Sequence, residues 1–298
     1  MKGSDTIALD PSASAEELLD AIASPARRVA ERRRASGAAH PSEWAVAMPG
    51  PFDYTAGIGL FDAVGKFDAL RGVSVRDGLA ARLGIDGDGI RFVNDAAAYG
   101  IGEWAFGSAA RADRQVCITL GTGVGSSFLD RGRVVDEGPD VPPHGWAYLL
   151  EYDGRPLEDT VSTRAITQAF TRGTGRVATV KEIAEAATAG DVDAAAVLDH
   201  AMAALGSTLA PWLDSFAATR LTVGGSMVRS WGALVGALTD GIARGSADVR
   251  HPSTLDVVAS TLLGDAPVLG AAHWLRSLAS TPEAFPDIPD YSLRSDHR

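Results

Sequence analysis

Arg91-Phe-Val-Asn-Asp-Ala-Ala-Ala-Tyr-Gly-Ile-Gly-Glu103 is the stretch whose reading decides the fold. A short apolar run, Arg91–Val93, meets Asn94-Asp95 and then an Ala-rich segment, the pattern of a buried strand running into a helix over Ala96–Phe106. A carboxylate at that junction is held at the C-terminal edge of a sheet, where α/β folds place their ligands. Asp95 can accept a proton there from a substrate hydroxyl, and Asn94 can hold that hydroxyl by donating and accepting together. The same two residues also suit a plain helix cap, and this segment alone leaves both readings open.

Working outward, the flanks alternate short β-rich runs with longer Ala/Leu-rich ones, so the fold class is α/β. Upstream, Glu16 to about Arg34 reads as a helix, with Ser14 as N-cap, Glu17 completing a capping box and Pro25 a point of kinking. Trp44–Met48 is a strand stopped by Pro49-Gly-Pro51, and Val75–Leu83 a helix ending at Gly84. Downstream, Gln115–Val135 forms a hairpin: one strand ends at Gly121-Thr-Gly-Val-Gly125, a second covers Ser126–Leu129, and Asp130-Arg-Gly132 turns the chain. After an irregular stretch (Gly138–Gly154), Val192 to Phe216 is the longest helical run, with a break expected at Gly206 and Pro211. Leu221–Val223 is a strand entering Gly224-Gly225, and Trp231–Ala243 a helix. Leu255–Ala259 is a last strand, Gly270–Leu278 a closing helix, and the segment from Ser280 a loosely attached tail.

Two glycine clusters carry further chemistry. Gly121, Gly123 and Gly125 stand at alternate positions of a turn, where backbone N–H groups, with Thr122 between them, can approach a phosphate unobstructed. No Gly-Lys-Ser/Thr follows, so this is not a Walker loop. Gly224-Gly225, between a strand and a helix start, can receive an adenosine or phosphate. Each cluster is equally at home as an ordinary tight turn.

Composition limits the alternatives. The chain has 298 residues, 46% of them hydrophobic, and a net charge of −11. Such a surface repels phosphate backbones and anionic lipid, so no nucleic-acid or membrane partner is expected. Arg32–Arg34, with Arg27 and Arg28 a turn earlier, reads as a solvated helix face. The single cysteine, Cys117, lies in an apolar run and reads as a buried thiol, so no zinc is expected. With no signal peptide and no apolar run of roughly 18 residues, a cytoplasmic protein is expected.

Taken in order, the motifs resemble those of the ROK family of sugar kinases, repressors and open-reading-frame proteins. Met48-Pro-Gly-Pro51, Asn94-Asp95-Ala96 with Gly102-Glu103, Gly121–Gly125, Gly224-Gly225 and Leu269-Gly-Ala-Ala272 match the family pattern, over about Ile7 to Leu278. The resemblance implies a two-lobed actin-like ATPase (ribonuclease-H-like) fold: a small lobe over 1–94, a large lobe over 95–279 and a tail over 280–298. It implies ATP-dependent phosphorylation of a hexose, with Asp95 as general base, Asn94 on the sugar, phosphates at Gly121–Gly125 and adenosine near Gly224-Gly225. ATP and Mg²⁺ are the cofactors so implied, a small-molecule sugar the partner, and a homodimer follows by the same analogy. Glu158, in Leu157-Glu158, matches the family's sugar-holding glutamate.

The sequence also departs from that pattern. The family opens with a strand, an Asp-x-Gly-Gly-Thr turn and a second strand. This chain begins Met1-Lys-Gly-Ser-Asp-Thr-Ile-Ala-Leu-Asp10, with a strand expected at Thr6–Leu9 and an exposed edge on Trp44–Met48. As written, the chain is therefore expected to be a poor phosphotransferase, with a misplaced start codon or a truncated record favoured over a natural remnant. The family's Cys-rich zinc motif is absent. Its Glu-x-Gly-His sugar motif is eroded: His144 is the nearest candidate for the histidine, and Tyr148 fits that place if the loop is aligned later. Its Ser-Pro-Asn stretch is replaced by Leu60–Phe67. These departures keep a second function in view, a non-catalytic sugar-binding or interaction protein derived from such a kinase.

Overall fold

In a computed structural model the chain is described over residues 7–62, 65–109, 111–247 and 251–280. The expected tail past Ser280 lies outside the described residues. Packing divides the rest into two compact units. One takes the described residues up to Asp95 and those from Trp274 on; the other is Ala96–His273.

In the first unit the elements run α1 (Ala15–Ala35), β1 (Trp44–Met48), β2 (Phe52–Asp53), β3 (Ile58–Gly59), α2 (Val75–Leu83) and β4 (Ile90–Asn94). Local chemistry sets the helix ends. Ser14 and Glu17 form the expected capping box, with Glu17 accepting from Ser14 N at 2.9 Å. Ser74 caps α2, and Gly84 ends it in the left-handed conformation. β1 and β4 pair in parallel, Trp44 opposite Ile90 through Met48 opposite Asn94. Leu18, Leu19, Phe52, Phe61, Leu70, Leu79, Ile90 and Phe92 fill the core beneath them. Arg76 ties the connections together, donating to the carbonyls of Thr55 (2.7 Å), Ala56 (3.2 Å), Gly87 (3.2 Å) and Ile90 (2.5 Å). Among the described residues β1 has a strand on one side only, and Trp44–Ala47 are half-buried. The strand expected at Thr6–Leu9 is not formed by its described part, Ile7–Leu9. A strand is stable only with a partner for its N–H and C=O groups, and among the described residues no strand pairs with it.

α3 (Asp95–Phe106) crosses into the second unit. There follow β5 (Arg114–Leu120), β6 (Val124–Asp130), β7 (Arg133–Val134), β8 (Glu151–Tyr152), β9 (Arg155–Pro156), α4 (Glu158–Val161), α5 (Thr163–Thr174), α6 (Val180–Thr188), α7 (Val192–Ser215), β10 (Arg220–Gly224), α8 (Val235–Gly245), α9 (His251–Thr254), β11 (Asp256–Ala259) and α10 (Ala266–Ser280). Five strands make a mixed sheet in the order β11-β10-β5-β6-β7, with β10 parallel to both β5 and β11, and the β5–β6–β7 hairpins antiparallel. Val116, Ile118, Leu120 and Phe128 of the sheet pack with Leu198, Leu205, Leu209 and Leu213 of α7 in one core. Each such fully buried leucine contributes about 2 kcal/mol of transfer free energy.

Two helical expectations are corrected. α7 runs unbroken through Gly206 and Pro211. Gly206 is there for close approach: a Cβ on it would strike the backbone of α8, at Leu238 O and 2.7 Å from Ile242 N. Gly241 and Gly245 of α8 press equally on the backbone of Ala203 and Ser207. Pro211 removes the N–H that would return to Ser207, and that carbonyl faces Gly245 instead. The helix expected at Trp231–Ala243 is divided, a 3₁₀ segment over Ser226–Ala233 preceding α8.

Candidate active site

At the end of β4 the expected strand-to-helix junction is present. Asp95 is the first residue of α3, at the end of the helix that favours negative charge. Asn94 Nδ2 donates to Tyr54 Oη at 2.9 Å, and Tyr54 Oη donates to Met48 O at 3.1 Å. Tyr54, which sequence reasoning missed, thus fixes the Asn94 amide against the end of β1. Its only sequence signal is an aromatic just past the Pro-Gly-Pro turn.

The two glycine clusters come together in the second unit. β5 and β10 are neighbouring parallel strands, Gly224 opposite Thr119, so both turns leave from the same edge of the sheet. A Cβ at Gly121 would lie 3.8 Å from Ser226 Oγ. Gly225, at φ 86°, lies so tightly on β5 that a Cβ would fall 2.7 Å from Leu120 N. Gly125 abuts Thr119 and Ala96, the residue after Asp95. Thr122 lies in the turn, whose ends are anchored: Gly121 N donates to Gly123 O at 3.1 Å, and Thr163 N donates to Gly121 O at 2.8 Å.

Glu158, at the start of α4, reaches the same turn. Its Oε2 accepts from Val124 N at 2.9 Å and would lie 2.8 Å from a Cβ on Gly123. The carboxylate thus sits directly over the glycine turn, a position the sequence motif did not reveal.

Beside these turns is a cavity of about 400 Å³ lined by Thr163, Arg164, Thr167, Lys181, Ser226 and Arg229, among others. Arg164 pairs with Asp159 at 3.1 Å and Lys181 with Glu185 at 3.6 Å. Among the lining residues are three cations and no carboxylate. On a chain of net charge −11 the pocket gathers cations, two of them already paired with Asp159 and Glu185. Sequence reasoning missed it because its cations come from α5, α6 and the segment after β10, distant in sequence and each unremarkable alone.

His144 lies in a short 3₁₀ turn at φ 57°, exposed, with its ring 4.7 Å from that of Trp146. Trp146 stacks in turn on Tyr148 at 5.5 Å. Buried Ser126 orders the row, donating to Gly145 O at 2.6 Å and accepting from Ala147 N at 2.7 Å. Burial, and then the nearby charge of Glu158, pushes the Tyr148 phenol up to about 12. Tyr148 is therefore the aromatic whose ionisation the Glu158 charge opposes, and His144 stands at the far end of the row.

Cys117 is buried in β5, and burial pushes its thiol up, as suits a packing residue. Among the described residues no three His, Cys, Asp or Glu side chains gather as metal ligands. No described helix is long and apolar enough to cross a membrane.

Compared with known proteins, residues 150–277 match the model of the ROK family. A glucokinase from Thermotoga maritima is 28% identical over 256 residues, 78% of each chain. Among solved structures, a ROK hexokinase from Thermus thermophilus superposes with a TM-score of 0.71 at 22% identity, over 90% of this chain and 89% of that one. A ROK-family glucokinase from Streptomyces griseus, solved with glucose and AMPPNP, gives 0.70 at 24% identity, over 91% and 90%. The last two establish the fold, and the stretch 150–277 is similar to the ROK family.

Proposed function

We propose that the protein phosphorylates a hexose hydroxyl at the expense of ATP. The observation that carries this is the pair of glycine turns at the C-terminal ends of β5 and β10, opening beside a cavity lined with cations. The S. griseus relative was solved with glucose and an ATP analogue, which supports the same ligands here. In this reading the adenosine lies by Gly224-Gly225, and Arg164, Lys181 and Arg229 offset phosphate charge. Asp95 accepts the proton of the attacking hydroxyl, with Asn94 holding that hydroxyl, while Glu158 and the aromatic row of His144 and Tyr148 hold the sugar. Mg²⁺, when bound with ATP, would neutralise charge on the transferred group.

A second reading, sugar binding without transfer, is favoured by the Glu158 carboxylate over the glycine turn, where negative charge opposes a phosphate. One experiment separates the two. The purified chain is assayed with ATP, Mg²⁺ and a hexose panel, with sugar binding measured in parallel by calorimetry. Turnover that Asp95→Asn lowers by at least about a hundredfold while sugar binding persists supports the kinase. Sugar binding with no turnover in the wild type supports the second reading.

A further inference from the structure

Glu103 is fully buried on α3, and all its partners are donors. Oε1 accepts from Ser260 Oγ (2.6 Å) and Leu262 N (2.9 Å). Oε2 accepts from Ser108 N (2.9 Å), Ser108 Oγ (2.8 Å) and Thr261 N (3.3 Å). Burial alone would raise its pKa, but the bonds from Ser260, Ser108 and Leu262 outweigh it and hold the carboxyl below its ordinary value. An ionised carboxylate only accepts, so the Ser260 proton is committed to Glu103.

That commitment fixes the rest of the chain of bonds. Ser260 Oγ also lies 2.7 Å from Tyr99 Oη, and with its own proton used it can only accept there. Tyr99 is thus the donor to Ser260, which leaves its lone pairs for the N–H of Gly225, 3.4 Å away. The ring of Tyr99 also lies against Gly224, where a Cβ would meet it at 2.5 Å. On α3, Tyr99 is four residues after Asp95 and so shares its face of the helix.

We propose that Tyr99 is a positioning residue of the nucleotide site: its hydroxyl fixes the Gly224-Gly225 turn and holds it in register with the helix that begins at Asp95. This rests on the reading of that turn as nucleotide-binding. Buried Glu103 acts through it, by setting the direction in which Ser260 and Tyr99 point their protons.

The test is Tyr99→Phe, which keeps the ring under Gly224 and removes only the hydroxyl. Amide hydrogen exchange over residues 221–228 is measured in the ligand-free chain, and ADP and glucose binding by calorimetry. Exchange in the turn should quicken about fivefold and ADP affinity fall about threefold to tenfold, with glucose affinity unchanged. Ser260→Ala, which removes the acceptor of the Tyr99 proton, should move exchange and ADP affinity in the same direction. Unchanged exchange in the turn in both variants overturns the proposal, as does an equal loss of glucose and ADP affinity. A wild-type chain that binds no ADP while the variant's turn still exchanges faster overturns the nucleotide reading and leaves the Tyr99–Gly225 link supported.

Discussion

Replacing Glu103 by glutamine changes one oxygen into an NH₂ group, and nothing around that side chain can accept from it without rearrangement. With the NH₂ on the Oε2 side it faces Ser108 N–H and Thr261 N–H, both donors, and only Ser108 Oγ can accept, by turning its proton away. On the other side it faces Leu262 N–H and requires Ser260 to turn its proton elsewhere, reversing the bond with Tyr99. The cheaper orientation still strands one buried N–H and loses the charge on the remaining bonds, a cost of about 3 kcal/mol. For a unit of this size that is a fall in Tm of about 6–12 °C. Thermal unfolding of Glu103→Gln and wild type, followed by circular dichroism at pH 7, measures it. The pH dependence gives an independent check. The folded pKa of Glu103 lies below the ordinary 4.5, so its contribution is present above that value and lost as pH falls through the folded one. The glutamine variant has no such loss, so the gap in Tm should narrow on acidification below about pH 4. A Tm within about 2 °C of wild type at pH 7, or a gap that ignores pH, would refute the reasoning.

Other substitutions probe different parts of the same frame. Gly206→Ala, which in an exposed helix would stabilise by about 1 kcal/mol, should here destabilise by about 1–3 kcal/mol, because its methyl meets the α8 backbone. Urea unfolding reads the sign directly, and a stabilised variant would show the two helices to be farther apart. Ser126→Ala strands Gly145 O and Ala147 N, and should cost about 2–3 kcal/mol. It should also weaken the near-ultraviolet circular dichroism of the Trp146–Tyr148 stack, and an unaltered aromatic spectrum would mean that Ser126 does not order that row.

The features legible in the sequence are those whose causes are local. Ser14 and Glu17 are three residues apart and cap α1 by themselves; Gly84 ends α2 for a reason contained in its own φ. The apolar run before Asn94-Asp95 carries the strand-to-helix junction in a dozen residues. What escaped the sequence depends on distant partners. Gly206 has the appearance of a helix breaker until α8 is seen against it, because close approach and flexibility call for the same residue. Arg164, Lys181 and Arg229 gain meaning only when three elements line one cavity. A motif points to Glu158, but not to its place over the glycine turn, which requires β6 and α4 to meet. Ile7–Leu9 shows the converse: an apolar run has strand composition, but among the described residues no neighbouring strand pairs with it.

The backbone-to-backbone seam between α7 and α8 has a consequence for ligand binding. Glycine has no rotamers to freeze, so a seam built on Gly206, Gly241 and Gly245 immobilises α8 with little side-chain entropy lost. α8 directly continues the Ser226–Ala233 segment, which supplies Ser226 and Arg229 to the cavity. That wall is therefore pre-organised: a ligand entering the cavity meets it already in place, and the free energy otherwise spent on ordering a loop remains available as affinity.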